Sequence, residues 1–151
     1  MRRSLAVLLV LVAGSLLLAG CGGSDPGQPA SVQPVEMKLF IRNATPPVQD
    51  SFIVGDVVRI KDSGTVLGEI TAVQAMPTLQ AVPDAEGRLH EAESPILVDI
   101  MLTIEGEANV SERGYRFGGE IVYVNNDIKY LTPLVQFGGI ITEMKVLGDP
   151  S

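Results

Sequence analysis

The sequence predicts an all-β protein, a small closed or nearly closed β-barrel of about six strands. Apolar and polar side chains alternate in most segments after residue 34, and a period of two is typical of strands with one buried face. No segment after residue 34 has the 3.6-residue period of an amphipathic helix. The same order of strand patterns occurs twice, so the barrel is predicted to consist of two similar halves.

The individual strands are predicted from this alternation and from the turn sequences between them. Residues 35–42 and 96–105 have an apolar side chain at every second position. Asp, Ser, Asn and Gly are concentrated at residues 62–65 and 125–127, which favours turns there. Residues 106–114 are predicted to form a polar loop. Further strands are predicted at residues 57–61, 66–76, 115–117, 121–124, 128–131 and 135–146.

The two half-repeats, about 35–76 and 98–146, share three blocks in the same order. Any two amphipathic strands resemble each other, so chance similarity is the alternative, but the shared order favours a duplication. One unit alone could not bury its apolar face, whereas two paired units would close the sheet and remove its exposed edges. The aligned blocks are 35–42 with 98–105, 58–59 with 128–129, and 68–73 with 139–144.

The interior of a barrel of this size is predicted to be full. A barrel needs about eight strands before it can hold a small ligand. Gly68 and Gly139 would allow the long strands to bend at barrel corners. We therefore expect no ligand pocket inside the barrel. The side chains predicted to fill it are Leu39, Ile41, Ile70, Leu102, Ile104 and Ile141.

Residues 77–95 predict an inserted, exposed β-hairpin. Residues 78–82 and 88–91 flank a turn sequence with an acidic tip. The acids there could attract Ca²⁺, but their spacing does not match an EF-hand loop, and a solvated charged tip is favoured. The candidate partner-binding residues are Asp84, Glu86, Arg88, His90 and Glu91.

The N-terminal segment predicts export. Arg2 and Arg3 precede an apolar run over residues 5–18, which is shorter than the ~20 residues needed to span a bilayer. Residues 1–20 are therefore predicted to be a signal peptide that enters the membrane as a helix. Leu18-Ala19-Gly20-Cys21 resembles the lipobox of bacterial lipoproteins. The resemblance implies cleavage before Cys21 and a diacylglyceryl group on its sulfur. An ordinary secretory signal with a chance cysteine is the alternative.

These features divide the chain into a signal peptide, a tether, a domain and a tail. Residues 21–34 are rich in Gly, Pro and Ser and predict a flexible tether that reaches on the order of 20 Å. Residues 35–147 are the predicted barrel domain, and 148–151 are a tail. Acyl chains on Cys21 would place the protein outside the cytoplasm, on the cell membrane or the outer membrane.

Composition excludes several kinds of partner and chemistry. Loss of residues 1–20 removes Arg2 and Arg3 and no acid, so the formal charge moves from −7 to −9, which disfavours nucleic acid. Cys21 is the single cysteine, so the domain has no disulfide and no thiolate metal site. His90 is the single histidine, and a solvated surface role is favoured over catalysis. No cofactor and no catalytic residues are predicted, and we expect that the protein is not an enzyme.

The segment from residue 35 to residue 146 resembles a bacterial envelope family, domain of unknown function 4330. The resemblance implies an extracytoplasmic domain, because members are usually anchored by one N-terminal transmembrane helix. This chain departs from that pattern by its lipobox. The resemblance implies no activity and no catalytic residues. The matching features, in order, are VEMKLFIRNA, VGDVVRI, VLGEITAV, VPDAEGRL, VDIMLTIEGEANVSERGYRFGG and GGIITEMKV.

Three functions are compatible with these observations. The first is a non-enzymatic, lipid-anchored module that binds an envelope protein or supports envelope assembly, with the hairpin as its contact. The second is an adaptor or carrier for lipid or another small amphiphile, because the bent strands resemble those of lipid-transport domains. The third is a surface hydrolase, which would need acids around a concave pocket. The missing catalytic residues and the filled barrel favour the first.

Overall fold

The computed structural model describes residues 31–148, and within them the protein is all-β. The predicted signal helix and the first part of the predicted tether lie outside the described residues. No helix within residues 31–148 has the length and apolar character needed to cross a bilayer. The elements are β1 (Ser31–Ala44), α1 (Pro46–Gln49), β2 (Val57–Ile60), β3 (Val66–Pro83), β4 (Leu89–Ser111), β5 (Gly114–Phe117), β6 (Glu120–Val122), β7 (Asp127–Leu131) and β8 (Gln136–Val146).

Six of the strands form a ring, as the alternation predicts. The hydrogen-bonded order is β1-β8-β7-β2-β3-β4, and β4 pairs back with β1. All these pairs are antiparallel. β5 and β6 are added to the end of β4 and lie outside the ring. The closing β1–β4 pair runs from Ser31 opposite Val110 to Ala44 opposite Val98.

The interior of the ring is filled by side chains from all six strands. Successive side chains on a strand point to opposite faces, so every second residue is buried. The six side chains predicted to fill the interior are all at most 5 % exposed, which confirms that prediction. The buried residues of the ring strands include Val35, Met37, Leu39, Ile41, Val58, Ile60, Leu67, Ile70, Ile100, Leu102, Ile104, Tyr130, Phe137 and Ile141.

Two glycines allow β3 and β4 to approach each other closely. Gly68 has a φ of +152° and faces the backbone at Glu105 and Gly106. A Cβ at Gly106 would collide with the carbonyl oxygen of Leu67. Gly68 also lies where the β2–β3 register shifts. The role of Gly106 has no signal in the alternation pattern.

At one end of the ring, two strands extend beyond their predicted boundaries. β1 begins at Ser31, inside the predicted tether, and β4 continues to Ser111 through the predicted polar loop. The two differences have one cause, because residues 31–34 pair with residues 107–110. The Leu147 N–H also donates to the Pro34 carbonyl oxygen at 2.8 Å. Backbone hydrogen bonds stabilise this end of the ring, and they require no apolar alternation.

Candidate functional site

The candidate site is a two-stranded arm formed by residues 77–98. It contains the ends of β3 and β4, which continue past the ring as a hairpin. The pairs run from Leu79 opposite Glu93 to Pro83 opposite Leu89. β1 ends at Ala44, opposite Val98, so within residues 31–148 no strand covers either outer edge of the arm. The residues of the predicted hairpin lie here, but as a continuation of two ring strands rather than a separate unit.

The base of the arm is held by one carboxylate. Asp99 Oδ1 accepts a hydrogen bond from the Thr78 hydroxyl at 2.8 Å and another from the Asn43 N–H at 2.9 Å. The Thr78 side chain is only 4 % exposed, and it lies where the β3–β4 register shifts. Asn43 has a φ of 54°, in the left-handed region. The network therefore ties three separate segments together where the arm leaves the ring.

The tip of the arm is organised by a second carboxylate. Asp84 Oδ1 accepts the N–H groups of Glu86 at 3.0 Å and Arg88 at 2.8 Å, and Asp84 Oδ2 accepts Arg88 Nε at 3.1 Å. Glu86 Oε2 lies 3.4 Å from Arg88 Nη2. Asp84 therefore stabilises the turn through both of its oxygens. Among residues 31–148, no three acidic, histidine or cysteine side chains are grouped to hold a metal ion.

The two faces of the arm differ in character. Directly opposite residues share a face. One face carries Leu79, Ala81, Pro83 and Leu89 with two acids, Glu91 and Glu93, and the other face carries Gln80, Val82, His90 and Ala92. On the first face Leu79 is 58 % exposed and Leu89 is 72 % exposed. We call the first face the acidic arm face. It combines apolar side chains and carboxylates on a surface that no described residue covers.

Prolines limit how the arm can be used. Pro77, Pro83 and Pro95 all lie in its two strands. A proline has no N–H to donate, and prolines on edge strands oppose the addition of another strand. Contact through a face of the arm is therefore favoured over contact through its edges.

The arm projects from the end of the ring opposite to both ends of the described chain. Ser31 pairs with Val110 at one end of β4, whereas the arm begins at Val98 and reaches its tip beyond Leu89. Leu147 lies beside Pro34, at the same end as Ser31. At about 3.3 Å per residue, the path along β4 from Val110 to Leu89 is on the order of 70 Å. The arm tip is therefore remote from the point where residues 1–30 join the domain.

The predicted site residues do not form one cluster. Asp84, Glu86 and Arg88 lie together in the tip, but His90 and Glu91 are on opposite faces of the arm. The residues of the predicted lipidation motif, Leu18, Ala19, Gly20 and Cys21, lie outside the described residues. Sequence reasoning missed the Asp99 network and the exposed side chains of Leu79 and Leu89. Thr78, a polar residue at a position that would be apolar in a simple strand, is the one local signal for that network.

The ring interior offers little acid–base chemistry. The Tyr130 hydroxyl and Asp56 Oδ2 are buried and have no hydrogen-bond partner within residues 31–148. Burial, with a smaller contribution from the charge of Asp127, raises the pKa of Tyr130 far above its ordinary value. The hydroxyl therefore stays protonated at neutral pH. The Tyr130 ring stacks on the Phe137 ring, and the Phe137 ring contacts the Phe52 ring edge to face.

Comparison with known proteins gives one match. No curated protein and no solved structure matches the chain. The family model described as "Domain of unknown function (DUF4330)" matches residues 4–145. That range covers the six-stranded ring except the last residue of β8, the arm and the N-terminal apolar segment. The chain therefore belongs to the DUF4330 family.

Proposed function

We propose that this chain is a lipid-anchored extracytoplasmic module, not an enzyme, whose arm binds a partner protein of the cell envelope. The observation that carries the proposal is the acidic arm face, where Leu79 and Leu89 are more than half exposed beside Glu91 and Glu93. Exposed apolar side chains bordered by charges are typical of protein-binding surfaces. The arm holds them away from the ring, where they are accessible.

The anchor rests on the N-terminal sequence. Arg2 and Arg3, the apolar run and the Leu18–Cys21 motif are in the order of a lipoprotein signal. The family match begins at residue 4, so the apolar segment belongs to the family pattern. A tether from Cys21 would join the domain at the end opposite to the arm. The arm would then point away from the membrane, toward proteins of the envelope.

The side chains that fill the ring interior favour binding over catalysis or transport. The inward side chains are large and apolar, and those of Met37, Leu39, Leu102 and Tyr130 are fully buried. A carrier would need room for an amphiphile, and a hydrolase would need grouped acids in a cleft. The arm needs neither, because its side chains are already presented to solvent.

We propose further that the ring is a small barrel that arose from two similar halves. Exchange of β1, β2 and β3 with β4, β7 and β8 leaves the strand order of the ring unchanged. In the sequence alignment Leu39 corresponds to Leu102, and these two residues also pair with each other across β1 and β4. An internal two-fold axis would pass through such a pair. Under this exchange, the end of β3 and the start of β4, which form the arm, correspond to the end of β8 and the start of β1.

The binding role is tested with an arm-shortened variant of the lipidated full-length chain. Replacement of residues 80–92 by Asn-Gly joins the paired residues Leu79 and Glu93 through a two-residue hairpin turn, and it leaves Thr78 and Asp99 in place. Crosslinking in the native envelope, followed by mass spectrometry, should recover specific partners with the wild type and lose them with this variant. Val124→Asp, at another exposed apolar residue, is the matched control and should keep them.

Two results would contradict the proposal. Recovery of the same partners by the arm-shortened variant would show that the arm is not the binding surface. Intact mass measurement of the mature wild-type protein tests the anchor separately. It should give a chain that begins at Cys21 and carries the added mass of acyl groups, and a chain without that mass would remove the lipid anchor from the account.

A further inference from the structure

A four-stranded sheet lies at the end of the ring where the described chain begins. There β4 pairs with β1 along one edge and with β5 along the other, and β6 pairs with β5. Directly opposite residues share a face of a sheet. One row of such residues crosses all four strands and consists of Val32, Asn109, Arg116 and Ile121.

This row faces outward. The alternate side chains on the same strands are buried, at most 1 % exposed, and they are Ala108, Phe117 and Val122. Val32 and Tyr123 are each more than half exposed. Tyr123 belongs to the same surface, because a Cβ at Gly114 would lie 3.6 Å from the side chains of both Ile121 and Tyr123. We call the surface formed by Val32, Asn109, Arg116, Ile121 and Tyr123 the entry face.

The formal charges at the entry face cancel. Arg116 lies on it and Arg113 lies in the turn beside it, and Glu107 on β4 and Glu112 in the same turn balance them. A third glutamate nearby, Glu120, lies on the opposite face of the sheet. The whole chain has a formal charge of −7. The entry face therefore lacks the negative charge that would oppose contact with lipid headgroups.

The chain enters the domain beside this face. Ser31 is the first described residue, and its neighbour is Val32. Ten peptide bonds separate Cys21 from Ser31, and a chain of that length spans at most about 35 Å. A lipid on Cys21 would therefore keep Ser31 within that distance of the bilayer. The arm tip is remote from this end of the ring.

We propose that the entry face lies against the bilayer that carries the lipid anchor. Tyrosine is enriched at the membrane–water interface, where its ring and its hydroxyl are both accommodated. Arg116 can place its guanidinium among the headgroups while its methylene groups lie on apolar surface. Val32 and Ile121 supply further apolar contact. The inference rests on the proposed lipid anchor, and it adds the surface through which the anchored domain is oriented.

The contact is small, and the anchor makes a small contact sufficient. Three apolar or aromatic side chains are too few to hold a soluble domain on a membrane by themselves. An acylated domain is already at the bilayer, so its effective concentration there is high. The entry face has only to restrict the rotation of the domain. Its role is orientation, and attachment belongs to the acyl chains.

The test is fluorescence quenching of single-site labels by lipid. Cys21 is the single cysteine, and its acylated sulfur does not react with maleimides, so an added cysteine is labelled alone. Asn109→Cys places a nitrobenzoxadiazole label on the entry face, and Ala85→Cys places one at the arm tip. The acylated full-length chain is placed on phosphatidylcholine vesicles that contain spin-labelled phosphatidylcholine. Quenching at residue 109 should exceed quenching at residue 85 at least about fivefold.

Charge substitutions on the entry face test its apolar contact. Val32→Asp with Tyr123→Asp should lower the quenching at residue 109 at least about threefold, because carboxylates resist transfer from water. Val54→Asp with Leu134→Asp is the matched control, since both residues are more than half exposed and lie elsewhere on the domain. This control should leave the quenching unchanged. Circular dichroism checks that both double variants are folded.

Three results would overturn the inference. The first is equal quenching at the two labelled sites, and the second is quenching at residue 109 that both double variants leave unchanged. The third is a label at residue 109 that is shielded from iodide in water but not quenched by lipid, which would show that a protein segment covers the entry face.

Failure of this inference is distinguishable from failure of the proposed function. Any of these three results, obtained on a chain whose mass includes acyl groups, leaves the anchor and the arm of the proposed function in place. A mature chain without acyl groups would remove the anchor and this inference together. The arm would still be judged by the loss or recovery of its envelope partners.

Discussion

The ring and the arm use the same two strands, β3 and β4, under opposite conditions. In the ring, the inward side chains of these strands are buried against four other strands, and Leu67, Ile70, Ile100, Leu102 and Ile104 are at most 1 % exposed. In the arm, Thr78 is the one buried residue. An isolated two-stranded hairpin is marginally stable in water. The comparison indicates that burial stabilises the ring, whereas the arm depends on hydrogen bonds at its base and tip.

The largest expected effect is a backbone collision in the ring. Gly106→Ala should lower the free energy of unfolding by about 3 kcal/mol or more, because the new Cβ would meet the carbonyl oxygen of Leu67. Gly138→Ala is the matched control, since nothing lies within 4 Å of its Cβ position. Urea unfolding followed by circular dichroism measures both variants. Equal stability of the two would contradict the close contact of β3 with β4.

Leucine truncation compares the two regions directly. Leu102→Ala removes a fully buried side chain from the ring and should cost about 2–5 kcal/mol. Leu89→Ala removes an exposed side chain from the arm and should change stability by less than about 0.5 kcal/mol. The same unfolding assay applies. A large loss for Leu89→Ala would mean that the arm packs against another surface.

Loss of the carboxylate at the arm base should have an intermediate effect. Asp99→Ala leaves the buried Thr78 hydroxyl and the Asn43 N–H without their partner, at a cost of about 1–3 kcal/mol. Hydrogen exchange should also become faster in the arm strands than in the rest of β3 and β4. Asp84→Ala, at the tip, is the comparison and should speed exchange only near residues 84–88. Unchanged exchange at the arm base in Asp99→Ala would remove this network from the account.

The smallest effect at neutral pH is expected from the buried tyrosine. Burial raises the pKa of Tyr130 above its ordinary value of 10.0, so the folded state holds the proton more tightly than the unfolded chain. The contribution of Tyr130 to the free energy of unfolding is then complete below pH 10. It falls as the pH rises above 10, by up to about 1.4 kcal/mol per pH unit. Tyr130→Phe should remove this slope and cost little at pH 7, because the hydroxyl has no partner.

Stability measured between pH 7 and pH 11 checks the tyrosine prediction. Tyr123→Phe, at an exposed tyrosine, should keep the wild-type slope. An identical slope in Tyr130→Phe would show that another group controls alkaline unfolding.

The sequence predicted the ring better than it predicted how the ring closes. Alternation identifies buried positions such as Leu39 and Ile104 because burial is what produces the pattern. The pairing of residues 31–34 with residues 107–110 leaves too short a pattern to detect, since Val32 is exposed and Ala108 is the one buried side chain in the paired segments. Gly106 leaves no signal in the sequence either, because its importance depends on the carbonyl oxygen of Leu67, which is remote in sequence and lies on the neighbouring strand.

For the candidate site, the sequence predicted the turn at the tip of the arm. It did not predict the hydrogen-bond network at the base of the arm or the exposed leucines on its face. Asp84 and Gly87 mark a turn because their short-range chemistry favours one. The contact of Asp99 with Thr78 and Asn43 joins residues up to 56 positions apart, which local patterns do not encode. Exposure of Leu79 and Leu89 follows from the absence of covering strands. That absence became apparent only once the whole strand order was known.

The central claim is that the ring is stable without the arm. It is tested most directly by the unfolding free energy of the variant in which Asn-Gly replaces residues 80–92. The ring strands and the Asp99 network are intact in this variant, so its unfolding free energy should stay within about 1 kcal/mol of the wild-type value. A loss of several kcal/mol would show instead that the arm is part of the folding core. An exposed arm free to bind a partner would then be excluded.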